Sequence, residues 1–117
     1  MNILIILNDA PYGTEKAYNA LRLANQILKD YPEKHIEIFL LADSVGCGLA
    51  NQKTPDGYYN IGRMIKFFVA KGGIIKTCGA CMDARGITEE MFQEGVQRST
   101  LKEFARLTAE YDKALTF

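Results

Sequence analysis

Three cysteines are the residues of this sequence whose type and spacing could carry chemistry. Cys47 lies between two glycines, whereas Cys78 and Cys81 form a C-x-x-C motif. Cysteine is usually a small buried hydrophobic residue, but none of the three falls on a predicted apolar helix face. The sequence therefore favours redox, sulfur or metal chemistry, and three inert core thiols are the simplest alternative.

A metal site is the first chemistry to test against the C-x-x-C spacing. A structural zinc ion needs four ligands, and the only further candidates are Cys47 and His35. His35 precedes the second predicted strand and Cys47 follows it, so about 23 Å of extended chain separates them. We therefore expect no metal site and no cofactor, and we expect His35 to be a surface residue.

Dithiol redox chemistry is a second hypothesis, because a C-x-x-C motif at a strand end resembles the thioredoxin arrangement. The sequence has no Trp, and all three prolines lie before residue 56, so no cis-proline can follow the motif. Gly86 also interrupts the helix that such a motif would begin.

Sulfur transfer is a third hypothesis. A thiolate is the attacking species in such chemistry, and it needs an electropositive setting at neutral pH. Arg85 follows Cys78 by seven residues, and backbone N–H groups around Gly79, Ala80 and Gly86 could bind an anion. We therefore expect these groups to lower the pKa of Cys78, with a surface ion pair as the alternative role of Arg85.

Two further patterns carry weaker signals. The G-x-G at residues 46–48 lacks the third glycine of a dinucleotide fingerprint, because Asn51 occupies that place, so a flexible loop is favoured. Asp9 and Asp43 could act as a general acid and base, although Asp at a strand end more often caps a turn.

The elements that must position these residues alternate between strand and helix. The predicted strands cover residues 3–7, 36–42, 74–77, 95–97 and 113–117. The predicted helices cover residues 14–30, 57–71 and 100–111, with one or two helical turns at 87–94 and a long loop at 43–57. Such alternation predicts a parallel sheet with helices on both faces and all strand C-termini at one edge. Ligands bind outside that edge, where the cysteines lie.

Capping residues and apolar periodicity support the helices. Thr14 is predicted to cap the first helix, and Thr100 with Glu103 forms a capping box for the last one. The predicted core face of the second helix is Tyr58, Ile61, Ile65, Phe68 and Val69.

Composition narrows the class of protein. The 117 residues are 48% hydrophobic and 24% charged, which predicts one globular domain over residues 1–117. Lys+Arg and Asp+Glu are 14 each, so the net charge is zero. This balance argues against binding nucleic acid or an anionic membrane by charge. The apolar run at residues 1–7 is too short for a spanning helix and lacks the basic leader and cleavage site of a signal peptide, so a cytoplasmic location is expected.

Self-association is expected as well, because a chain of zero net charge has little self-repulsion. Several apolar residues lie off the predicted core faces of the first two helices and would suit a contact between copies. They are Leu23, Tyr59, Met64 and Phe67.

Four segments in order along the chain resemble the DsrE/DsrF-like (TusD/DsrE) sulfur-relay family, most closely its YchN-like branch. They are APYGTE at residues 10–15, FLLAD at residues 39–43, Cys78 with Arg85 and Gly86 at C-x6-R-G spacing, and DKALTF at residues 112–117. Each segment is weak alone, but their order and spacing are fairly specific.

The resemblance implies a three-layer α/β/α domain with a five-stranded parallel sheet and a homo-oligomer, a hexamer or trimer. Cys78 matches the sulfur-carrying cysteine, which accepts persulfide sulfur from a donor protein and passes it to an acceptor. Arg85 matches an arginine of the same loop. Tyr12 and Asp43 lie in matching segments. Together with Gly79 and Gly86, they are expected to be binding residues of this site.

Cys81 is a departure from the single-cysteine relay proteins, although the YchN-like branch shares it, and Cys47 has no match. The leading hypothesis is a sulfur carrier with Cys78 and Cys81 as catalytic residues. The alternatives are a dithiol oxidoreductase using the same pair, and a non-catalytic oligomeric scaffold or small-anion binding module. Cys81 is predicted either to resolve a Cys78 persulfide or merely to pack.

Overall fold

Five parallel strands form one sheet in the computed structural model, which describes all 117 residues. The strands are β1 (Asn2–Leu7), β2 (His35–Leu40), β3 (Ile74–Cys78), β4 (Val96–Ser99) and β5 (Lys113–Thr116). The α-helices are α1 (Lys16–Asp30), α2 (Ile61–Ala70), α3 (Gly79–Ala84) and α4 (Leu101–Glu110). Two 3-10 helices cover Ala42–Gly48 and Glu89–Met91. The strand order is β4-β3-β2-β1-β5, and every pairing is parallel.

The main core lies on the sheet face covered by α1 and α2. Alternate residues of the strands point into it, such as Ile3 and Ile5 of β1 and Ile36 and Ile38 of β2. The buried face of α1 follows the predicted helical period and comprises Ala17, Ala20, Leu21, Ala24 and Leu28. The predicted α/β architecture with a five-stranded parallel sheet is confirmed.

The opposite sheet face is covered by α4, because the β4–α4–β5 connection returns across the sheet. Its core is small and consists of Leu4, Phe39 and Leu107, with Phe104 stacked on Phe39 at 4.6 Å between ring centroids. Beside it lies Glu37, which is 2% exposed and accepts a 3.0 Å hydrogen bond from the Tyr111 hydroxyl. This face is therefore narrower and more polar than the first.

The second helix begins later than predicted. Asn60 caps α2 by accepting a 3.0 Å hydrogen bond from the Arg63 N–H, so the helix starts at Ile61. Tyr58 precedes the helix and is 50% exposed, so its prediction as a core residue is wrong. Val69 is half-buried and packs on the main core.

The capping predictions have mixed outcomes. At α4 the Thr100 hydroxyl accepts from the Glu103 N–H at 3.1 Å, as predicted, but the Glu103 carboxylate bonds to Arg106 and Lys76 instead of reaching back. At α1 the N-cap is Glu15, not Thr14. The Thr14 hydroxyl lies one residue earlier, where it donates to Asp9 at 3.0 Å and accepts a long 3.4 Å bond from the first helical N–H, that of Lys16.

Two other predicted features have plain outcomes. Strand β2 ends at Leu40, before the predicted boundary, because Ala42 has a positive φ of 51° and leaves the extended conformation. His35 lies at the opposite end of β2 from Ala42–Gly48, as predicted, but it is half-buried against the Tyr111 hydroxyl. No helix is long and apolar enough to cross a membrane.

The four residues suggested for contacts between copies differ in exposure. Leu23 and Phe67 are exposed, whereas Tyr59 and Met64 are half-buried and pack against the main core. Self-association stays a prediction.

Candidate functional site

Cys78 lies at the junction of β3 and α3, at the carboxyl edge of the sheet. It is the last residue of the strand and the N-cap of the helix. Its Sγ accepts a 3.2 Å hydrogen bond from the backbone N–H of Cys81. The side chain is half-buried and packs beside the small core on the α4 face. The junction therefore holds a fixed but accessible thiol.

The α3 helix was not predicted from the sequence, because Gly86 was expected to interrupt a helix after the C-x-x-C motif. The helix fits before this glycine: it ends at Ala84, and Gly86 has a φ of 67° with its N–H bonded to the Asp83 carbonyl at 3.2 Å. Gly86 thus closes α3 and directs no N–H at Cys78. A second N–H near the sulfur belongs to Ala80.

Arg85 joins two predicted site residues that are distant in sequence. Its Nε donates to Asp43 Oδ1 at 2.9 Å, its Nη2 lies 2.9 Å from the same oxygen, and its Nη1 donates to the Cys81 carbonyl at 3.1 Å. The Asp43 carboxylate therefore neutralises the Arg85 charge that was expected to lower the pKa of Cys78.

The predicted lowering of the Cys78 pKa is wrong. Burial of the thiol raises its pKa most, and the hydrogen bond with the Cys81 side chain raises it further. The N–H groups of Cys81 and Ala80 lower the pKa, but they do not outweigh these effects. Because Arg85 is paired with Asp43, no free cation remains in that position to reverse the shift.

Arg98, on β4, is a site residue that the sequence analysis missed. Its guanidinium binds both oxygens of Asp83 on α3, at 2.8 and 2.9 Å. It also lies against Gly79, where an added Cβ would be 2.9 Å from the guanidinium carbon and from the Ser99 carbonyl oxygen. Gly79 is thus required for the close approach of β4. The pairing of β3 with β4 sets Arg98 beside Thr77, next to Cys78, and this register cannot be read from a local sequence pattern.

Cys47 has a different environment from Cys78. It is fully buried in the main core, and burial raises its pKa to about 12. The core-thiol alternative therefore describes the environment of this residue. The cause is the Ala42–Gly48 3-10 helix, which has no apolar periodicity to read but turns the thiol inward.

Tyr12 lies in a separate cluster. Its hydroxyl donates to Gln52 Oε1 at 2.7 Å and accepts from the Ile61 N–H at 3.1 Å. Asp9 likewise contacts Thr14 and Lys16, so it does not pair with Asp43 as an acid–base couple. The structure thus assembles Cys78, Cys81, Gly79, Asp43 and Arg85, and it places Tyr12 elsewhere. No group of three or more His, Cys, Asp or Glu side chains is arranged to hold a metal ion.

The sequence is similar to a known protein family and to several of its members. A family model described as "DsrE/DsrF-like family" matches residues 1–117. Protein YchN of Escherichia coli is 40% identical over 115 residues, which cover 98% of this chain and 97% of YchN. The uncharacterized protein MJ0989 of Methanocaldococcus jannaschii is 35% identical over 117 residues and all of both chains.

Solved structures agree with the sequence relatives. The crystal structure of the ychN protein from E. coli matches with a TM-score of 0.94 at 40% identity, covering 99% of this chain and 98% of that chain. A protein of unknown function, MTH1491 from Methanobacterium thermoautotrophicum, matches with a TM-score of 0.78 at 13% identity, covering 99% and 97%. This second likeness concerns the fold alone.

Proposed function

This chain belongs to the DsrE/DsrF-like family, which includes sulfur-relay proteins, and on that premise we propose that it carries persulfide sulfur on Cys78. The supporting observation is the half-buried Cys78 thiol at the carboxyl edge of the sheet, bonded to the Cys81 N–H at 3.2 Å. In open α/β sheets this edge is where ligands bind. The donor and the acceptor would meet the thiol there.

Loading is a transfer of sulfur without net oxidation. Cys78 first gives up its thiol proton, which ends on the departing donor sulfur. The resulting thiolate attacks the outer sulfur of a donor persulfide, R–S–SH, and a new S–S bond forms at Cys78. The donor's S–S bond breaks, and the donor leaves as the thiolate R–S⁻ with the electron pair. Delivery repeats the same exchange, with the acceptor thiolate attacking the outer sulfur on Cys78.

The electrostatics of the site suit the loaded form better than the empty one. The raised pKa keeps the resting thiol protonated, which protects it from oxidation. A persulfide is more acidic than a thiol, so the loaded group is an anion at neutral pH. The Cys78 sulfur that the Cys81 N–H bonds becomes the inner sulfur of the persulfide, so this bond would fix the loaded group at the junction.

Arg98 is proposed to position the loop that holds this anion. Its bidentate pairing with Asp83 ties α3 to β4, and its guanidinium lies beside Gly79, the residue after Cys78. Replacing Arg98 with Gln would release that tie and leave the thiol in place. We expect slower loading, and we expect Asp83→Asn to slow it similarly because it breaks the same pair.

Dithiol oxidoreductase activity is the second candidate, since Cys78 and Cys81 are neighbours and the Cys81 N–H bonds the Cys78 sulfur at 3.2 Å. A Cys78–Cys81 disulfide would form by two-electron oxidation, for example by a substrate disulfide that is reduced to two thiols. The carrier hypothesis is favoured because it needs one reactive cysteine and no external oxidant.

Intact-mass spectrometry of variants separates these functions. Protein incubated with glutathione persulfide and freed of reagent should gain the mass of one sulfur atom. Cys81→Ser and Cys47→Ala should keep this gain, and Cys78→Ser should lose it. A loss of two hydrogens that requires both Cys78 and Cys81 would favour the oxidoreductase. No mass change in any variant would leave a scaffold or binding module.

A further inference from the structure

Four tyrosines form a continuous aromatic cluster beside α1 and α2, outside the Cys78 site. The rings of Tyr18 and Tyr59 stack at 4.3 Å between centroids, and those of Tyr59 and Tyr58 at 4.5 Å. Tyr12 lies 5.7 Å from Tyr59 at a tilt. Tyr58 ends the stack and is 50% exposed, so a further planar ring can stack on it.

The cluster borders a groove made of two adjoining cavities, which we call the tyrosine groove. A cavity of about 510 Å³ is lined by Tyr18, Tyr58 and Tyr59, and a cavity of about 860 Å³ adjoins it. Arg63 and Phe67 line both. These volumes are typical of small-molecule sites, roughly 300–1,000 Å³.

The charge of the tyrosine groove is unbalanced, although the whole chain is neutral. It contains four cations, and none of them takes part in an ion pair, whereas its acidic residues are Asp56 and Glu94. The cations are Arg22, Lys53, Arg63 and Lys66. The Arg22 guanidinium also lies 5.2 Å from the centroid of the Tyr18 ring. Unpaired cations next to exposed ring faces favour a ligand that is both planar and anionic.

Hydrogen bonds fix the segment at residues 49–60, which runs from the first 3-10 helix to α2 beside the tyrosine groove. Gln52 Nε2 donates to the carbonyls of Cys47 and Leu49 at 2.8 and 2.9 Å. Its Oε1 accepts from the Tyr12 hydroxyl at 2.7 Å and from the Gly62 N–H at 3.2 Å. These bonds preform the segment at residues 49–60 between the first 3-10 helix and α2, and a preformed site loses less entropy on binding.

We propose that the tyrosine groove binds a nucleoside phosphate. The base stacks on Tyr58, and the phosphate groups bind Arg63 and Lys53. A simple anion would not use the ring faces, and an apolar ligand would not use the cations. A second copy that presented the same groove across a two-fold axis would bring like charges together, which disfavours that one arrangement. The proposal does not depend on sulfur chemistry at Cys78.

Calorimetric titration of the full chain with ATP tests the proposal. Adenosine, which has the base without phosphates, and inorganic tripolyphosphate, which has the phosphates without a base, are titrated separately. ATP should bind at least about tenfold more tightly than either part. Tyr58→Leu and Arg63→Gln should each weaken ATP binding about tenfold. Tyr31→Leu, at another exposed tyrosine, and Arg106→Gln, on α4 across the sheet, should leave it unchanged.

Four outcomes would overturn the proposal. Equal binding of tripolyphosphate and ATP would make the groove a patch for any anion. Binding of a short single-stranded RNA without binding of ATP would make it a nucleic-acid surface. Loss of a light-scattering oligomer in Tyr58→Leu, without ATP binding by the parent protein, would make it an interface between copies. ATP binding that none of the groove variants weakens would place the ligand elsewhere.

Discussion

Two cysteine-containing segments leave neighbouring strands at the same edge of the sheet, yet they hold their thiols in opposite environments. Cys47 lies in the Ala42–Gly48 3-10 helix and is fully buried, with a pKa raised to about 12 by that burial. Cys78 is half-buried, bonded to a backbone N–H, and next to two arginine ion pairs, Arg85–Asp43 and Arg98–Asp83.

The difference shows that edge position and a neighbouring glycine do not by themselves leave a cysteine accessible. The glycine after Cys47 serves packing, because a Cβ at Gly48 would lie 2.7 Å from Val96. The glycine after Cys78 instead lets Arg98 approach the motif. The two thiols differ in exposure because a different side of each local turn faces the core. Tertiary packing decides which side that is.

Selective labelling is the largest expected contrast between the two segments. Iodoacetamide at neutral pH should modify Cys78 at least about 100-fold faster than Cys47, since Cys47 is inaccessible and almost fully protonated. Peptide mapping of timed samples measures both rates. In denaturant the two should react alike, and faster labelling of Cys47 in the native protein would contradict the assignment.

Substitution by Ser should separate the two segments by stability. Cys47→Ser places a hydroxyl in the apolar core and should lower the free energy of unfolding by about 1–3 kcal/mol. Cys78→Ser should lower it by less than about 1 kcal/mol, because its environment already supplies an N–H donor. Urea unfolding monitored by circular dichroism measures both, and equal losses would refute the comparison.

The pH dependence of labelling sharpens the account of Cys78. Because its pKa is raised, its thiolate fraction at a given pH is smaller than that of a free cysteine. The alkylation rate should therefore rise about tenfold per pH unit and level off only above the ordinary thiol value of about 8.5. A Cys47→Ala, Cys81→Ser double variant isolates the reaction. A plateau below pH 7 would show a thiolate stabilised at rest.

Replacing Cys81 should have the smallest effect of these changes, and the effect should be on the lifetime of the Cys78 persulfide. A resolving Cys81 thiolate attacks the inner sulfur of the Cys78 persulfide, releases the outer sulfur as hydrosulfide, and closes a disulfide. Cys81→Ser should then lengthen the adduct lifetime several-fold without changing loading. Time-resolved intact mass, with sulfide release measured in parallel, tests this. An unchanged lifetime would make Cys81 a packing residue.

The sheet was predictable because buried parallel strands are nearly continuous apolar runs, as in β1. The start of α2 was not, since Tyr58 fits the helical period with Ile61 and only the Asn60 cap shows where the helix begins. At the candidate site, the C-x-x-C spacing predicted that Cys78 and Cys81 lie together at a strand end, and the structure places them there. The Arg85–Asp43 pair and Arg98 depend on strand order and register, which no local pattern contains.

Site-resolved mass spectrometry of the unmodified sequence tests the central claim most directly. The protein is loaded with glutathione persulfide, the persulfides are trapped with iodoacetamide, and all three cysteine peptides are quantified. The account predicts added sulfur at Cys78 and none at Cys47. Because Cys78 and Cys81 are three residues apart, fragmentation must separate them. Added sulfur at Cys47 or at Cys81 in preference to Cys78 would contradict the account.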